Sequence, residues 1–88
     1  MFDADRALGT IQAHRGPFTF MVSRPMKTKA GFWRSEWLPG QTDGEDVVSE
    51  ALALLTDPRD TIKSVCVHSI PEQTHVYTFR TGDIQQEG

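Results

Sequence analysis

Cys66 and His68 stand two residues apart in Val65-Cys66-Val67-His68, so in an extended strand they share one face. His75 follows on the next extended stretch. A connecting turn with an even number of residues would put it on that same face. One thiolate and two imidazoles converging there would suit a zinc ion with one coordination position left open. The same group would also suit a thiol nucleophile, with His68 as the base for Cys66. Against both stands a plainer reading. Histidines beside a turn are ordinary surface residues, and a cysteine inside a Val-Cys-Val strand packs as a small apolar group, buried and unreactive. No CxxC or HxxxH spacing accompanies them, and the remaining histidine, His14, is remote in sequence. The expectation is a buried thiol with no metal and no other cofactor.

No set of residues in the sequence specifies a reaction. Asp43, Glu45 and Asp46 suit the start of a helix, where carboxylates meet the positive end of its dipole. Gly40 and Gly44 flank that helix start and do not form a phosphate-binding loop. The chain is expected to bind rather than catalyse.

The charge layout is the stronger signal. Arg15, Arg24, Lys27, Lys29 and Arg34 form a stretch with no acidic residue, while the whole chain carries a net charge of −3. Glu36, Asp43, Glu45, Asp46, Glu50, Asp57 and Asp60 follow, with Arg59 as the lone cation among them. Separated segments of opposite sign give a small domain an oriented field that steers charged partners. Arg24, Lys27, Lys29 and Arg34, interleaved with Phe32 and Trp33, could hold phosphates and stack on bases. They could equally form a solvated loop that keeps an edge hairpin soluble. A sequence pI near 5.5 argues against general nucleic-acid coating. Glu45, Asp46 and Glu50 offer a rigid acidic display for a basic groove on another protein, or an ordinary solvated helix face. Trp33 and Trp37 share a strand face and are either core or an aromatic hot spot.

These residues need elements to position them. The 88 residues suffice for one domain with a modest core. A single cysteine allows no disulfide within the chain, which favours a reducing compartment. The acidic N-terminus lacks an apolar run, and no stretch reaches membrane-span length. A cytoplasmic protein with no membrane partner is expected.

Ala4, Ala7, Leu8 and Ile11 predict an amphipathic helix capped by Asp3, ended by Gly16-Pro17. Phe18 to Ser23 alternates as a strand, which Pro25 ends or confines to an edge. Residues 32–38 predict its antiparallel partner. Thr42-Asp43-Gly44-Glu45 has capping-box spacing ahead of a helix with apolar Val47, Val48, Ala51, Leu52, Leu54 and Leu55. Asp57-Pro58 ends it. Residues 62–69 and 75–80 make a second hairpin, and residues 82–88 a polar tail. The order is α-β-β-α-β-β. It implies a two-layer α+β fold with an antiparallel sheet of two hairpins, one main amphipathic helix and a short N-terminal helix. One sheet face is covered; Met21, Trp33 and Trp37, or their counterparts across the hairpin, are left on the other.

Together these features predict a small non-enzymatic protein-binding module, an inhibitor or adaptor docking another protein through Trp33, Trp37, Glu45, Asp46 and Glu50. Its partner would suit a nucleic-acid-binding protein with a basic groove. Phage and mobile-element inhibitors, anti-CRISPR proteins among them, are often compact, acidic and of this size, an analogy of size and charge with no motif behind it. The alternatives are a nucleic-acid accessory protein using the basic hairpin 24–34, and a metal or thiol site at Cys66, His68 and His75. Tight binding of free nucleic acid is not expected.

Overall fold

The computed structural model describes residues 2–26 and 31–82. The elements are α1 (Ala4–Gln12), β1 (Phe18–Pro25), β2 (Trp33–Trp37), a 3₁₀ turn (Gly44–Asp46), α2 (Val47–Thr56), β3 (Ser64–Ser69) and β4 (Thr74–Arg80). This is the expected α-β-β-α-β-β order. The four strands form one antiparallel sheet in the order β2-β1-β3-β4. The two hairpins therefore join along β1 and β3, and β2 and β4 are the edges.

The core follows from strand alternation. Phe18, Phe20 and Val22 of β1 and Val65 and Val67 of β3 are buried on one face, with Phe79 of β4. Ala7 and Ile11 of α1 and Val47, Ala51 and Leu55 of α2 pack on them, with Ile62 from the connection. Asp3 caps α1, its carboxylate accepting from the Arg6 N–H at 3.1 Å.

Two expectations about α2 are corrected. Thr42 does not cap the helix. It is instead paired with Phe18 by two backbone hydrogen bonds of 2.9 Å, and its hydroxyl donates to Glu50 at 2.8 Å. That bridge takes the backbone a cap would use, and the chain enters α2 through the 3₁₀ turn with no side-chain cap. The buried stripe is also narrower than the sequence pattern. Val47, Ala51 and Leu55, spaced by four, are buried, whereas Val48, Leu52 and Leu54 are only partly covered.

Phe18 is held in a close nest. A Cβ at Gly16 would stand 3.1 Å from Cε2 of its ring, and one at Gly44 3.2 Å from the same atom. Both contacts are tighter than ordinary packing, so glycine is what lets both backbones approach. Pro25 ends β1 as expected, opposite Trp33, while the ends of β2 differ slightly. Phe32 and Leu38 flank β2, although the Leu38 N–H still donates to Phe20 and the Phe32 carbonyl accepts from Met26. Lys27, Lys29 and most of the tail lie outside the described residues.

Candidate functional site

The helices cover one face of the sheet, and the alternation that buries Phe18, Phe20 and Val22 sends the intervening side chains to the other. Register fixes which ones: Met21 is opposite Trp37 and Cys66, Ser23 is opposite Ser35 and Ser64, and Thr19 is opposite His68. Trp33, Ser35 and Trp37 therefore share the uncovered face with Cys66 and His68. Trp33 and Trp37 are 55% and 53% exposed, so neither belongs to the core. Every residue of β2 is exposed, which places this strand beyond the helical layer. Among the described residues, the strand positions on the open face include Arg80, opposite Ser64, and no carboxylate.

A bulge builds the middle of this face. β3 and β4 run in register from Ser64–Arg80 to Val67–Tyr77, then shift so that His68 meets His75 and leaves Val76 as the extra residue. Without the shift His75 would point toward the helices. With it, the His68 and His75 rings stand edge to face at 5.4 Å between centroids, and Trp37 stands edge-on to His68 at 4.8 Å. His75 Nε2 also lies 2.6 Å from the Thr78 hydroxyl, three residues on. Partial burial holds the His68 imidazole below the ordinary histidine value, and neighbouring His75 pushes the same way. A shallow depression of about 530 Å³, lined by Thr19, Trp37, His68, Ser69, Ile70 and Gln73, opens beside this stack.

Cys66 differs from expectation. It is half-buried on the open face, because its parity is that of Met21 and not that of Val65 and Val67. The Thr78 hydroxyl donates to its sulfur at 3.7 Å. Cys66, His68 and His75 do share a face, as a short even turn allows, but their donor atoms are not grouped at metal-ligand spacing. Among the described residues only Asp43, Glu45 and Asp46 are so grouped, and all three are exposed at the start of a helix.

The basic hairpin is largely neutralised where it is described. Arg24 Nε donates to Asp60 Oδ1 at 3.0 Å and Nη2 to Oδ2 at 2.8 Å, while Nη1 contacts Glu36. Arg34 Nη2 approaches the same Glu36 carboxylate at 3.9 Å. Arg24 holds the Asp60 carboxyl below its ordinary range, chiefly through the hydrogen bonds. These partners lie 12 and 36 residues from Arg24 in sequence, so no local pattern signalled them.

The structure does not bring the two sets of candidate partner-binding residues together. Trp33 and Trp37 occupy the open face, whereas exposed Glu45, Asp46 and Glu50 stand at the start of α2 in the helical layer. Met21, His68 and His75 join the tryptophans instead. Strand parity counted from Phe18 pointed to Met21, and the histidines follow from the bulge. Among the described residues, no helix is long and apolar enough to cross a membrane. Comparison with protein families, curated proteins and solved structures gave no match.

Proposed function

We propose that this chain is a non-enzymatic module that binds another protein, as an inhibitor or adaptor, through the open face of its sheet. The observation that carries the reading is the pair of half-exposed tryptophans, Trp33 and Trp37, on a sheet face that no helix covers among the described residues. Tryptophan combines a large apolar body with one polar N–H and is enriched where complexes hold together. The flanking depression beside Trp37 and His68 gives a partner side chain a place to seat. Glu45, Asp46 and Glu50, on the other layer, set the field in which a partner approaches and not the surface it rests on. Pairing of Arg24 with Asp60 and Glu36 removes one of the four cations on which nucleic-acid binding would depend.

The test is capture of the partner from host cells with the whole chain as bait. Trp37→Ala and Trp33→Ala, each verified as folded, should lose the captured protein through faster dissociation. Reversing Glu45, Asp46 and Glu50 to lysine should change the association rate and its salt dependence while the complex still forms. A partner retained by both tryptophan variants and lost with the charge reversal would move the contact to the helical layer. Tight binding of free nucleic acid at physiological salt would replace the reading altogether.

A further inference from the structure

We propose that two copies of this chain associate through β2, antiparallel about a twofold axis at Ser35, to join their sheets into one of eight strands. This inference is independent of any other partner of the open face.

Three observations carry it. The first is the free edge. β2 pairs with β1 on one side and, among the described residues, with no strand on the other. The Leu38 N–H donates to Phe20 of β1, and the Phe32 carbonyl accepts from Met26, the residue that follows β1. Backbone direction alternates along an antiparallel strand. Hence Arg34 and Glu36 turn their N–H and C=O groups toward β1, and Trp33, Ser35 and Trp37 turn theirs outward. β2 contains no proline and no bulge, two devices that usually protect an edge from pairing.

The second is the sequence Trp33-Arg34-Ser35-Glu36-Trp37, which is self-complementary when read against itself in reverse. Pairing Ser35 with the partner's Ser35 sets Trp33 opposite the partner's Trp37 and Arg34 opposite the partner's Glu36. Opposed aromatic pairs and opposed charges of unlike sign both stabilise antiparallel strands. The two arginines and two glutamates alternate around the axis, on the sheet face away from the tryptophans.

The third is parity. The register that aligns these pairs makes Trp33, Ser35 and Trp37 the hydrogen-bonded positions, and those are the residues whose backbone groups turn away from β1 and meet no other strand among the described residues. Arg34 and Glu36 fall at the non-bonded positions, where opposed side chains approach more closely. Sliding by one step keeps the backbone bonds only by setting Arg34 against Arg34 or Glu36 against Glu36. Like charges penalise both slips, so a single register is favoured. The symmetric contact closes on itself and ends at the dimer. A five-residue edge buries little area, so association is expected to be weak.

Sedimentation equilibrium of the whole chain tests this. The mass should rise from 9.9 kDa toward twice that value with concentration. Ser35→Pro removes an outward N–H and leaves the β1 ladder intact, so it should remain monomeric with unchanged circular dichroism. Arg34→Glu and Glu36→Arg should each be monomeric alone, and their equimolar mixture should form the heterodimer. The mixing result stands even if the proline variant fails to fold. A parent that stays at 9.9 kDa up to about 1 mM overturns the proposal. So does a folded Ser35→Pro protein, or either charge variant alone, that dimerises as the parent does.

Discussion

Arg24 and Asp60 meet in a two-pronged contact that ties the end of β1 to the connection between α2 and β3. Planar guanidinium and carboxylate groups match in this arrangement, which gives it directional strength that a lysine would not supply. The pair lies beside buried Ile62 of the same connection, so it fastens that segment to the sheet at the margin of the core.

Its pH signature follows from the sign of the shift. The native Asp60 carboxyl lies below its ordinary value of 3.8, so the stability it adds is present above that value. It is lost as pH falls through the lowered native value. Glu72 behaves alike, lowered first by the Arg15 N–H and then by His14. Asp60→Asn should lower the melting temperature at neutral pH and fall less steeply than the parent on acidification. Parallel melting curves for the two proteins across the acid range would contradict this.

Trp37 should report the state of His68. Their rings are 4.8 Å apart, and a protonated imidazole quenches a neighbouring indole. Indole emission should therefore drop on acidification with a midpoint below 6.5, since burial disfavours the charged form of His68. His68→Gln should abolish the transition and Trp33→Phe should leave it. A midpoint above 6.5 would mean that the ring is not desolvated in solution.

Leu55 and Leu52 separate the true core stripe from its apolar neighbours. Leu55 is buried between α2 and the sheet, and Leu55→Ala should cost about 2–5 kcal/mol in urea denaturation. Leu52 is only partly covered, so Leu52→Ala should cost distinctly less. Equal costs would place both leucines in the same environment, against the packing described.

Cys66 is a natural footprint of the open face. Half-buried there, it should react with a maleimide in the native protein more slowly than a free thiol and far faster than global unfolding would allow. A protein docked over Trp37 and His68 should slow the reaction. A thiol inert until the protein unfolds would return Cys66 to the interior.

Much of the architecture was legible from alternation. Phe18, Phe20 and Val22 predicted a strand with one buried face, and Val47, Ala51 and Leu55 a helix to cover it. What local patterns missed depends on partners far along the chain. The Thr42 capping box is a sound local motif that lost to a bridge with Phe18, 24 residues earlier. The face of Cys66 depends on the pairing of β3 with β1, not on its apolar neighbours. The place of His75 depends on the extra residue Val76, and single-residue bulges leave little trace in composition. Exposure of Trp33 and Trp37 was one of two open readings, because residue type alone does not say where the helical layer stops.

Because both faces of β2 meet water, that strand is secured by one ladder and a few side-chain contacts, and β1 by packing as well. Neighbouring amides of β1 consequently report two different free energies. Those of Phe20, Val22 and Arg24 face β2 and should exchange their hydrogens whenever the outer strand frays. Those of Thr19, Met21 and Ser23 face β3 and should exchange only through much larger openings of the fold. Slow and fast protons should therefore alternate residue by residue along a single buried strand, marking the line where the cooperative unit of this small domain ends.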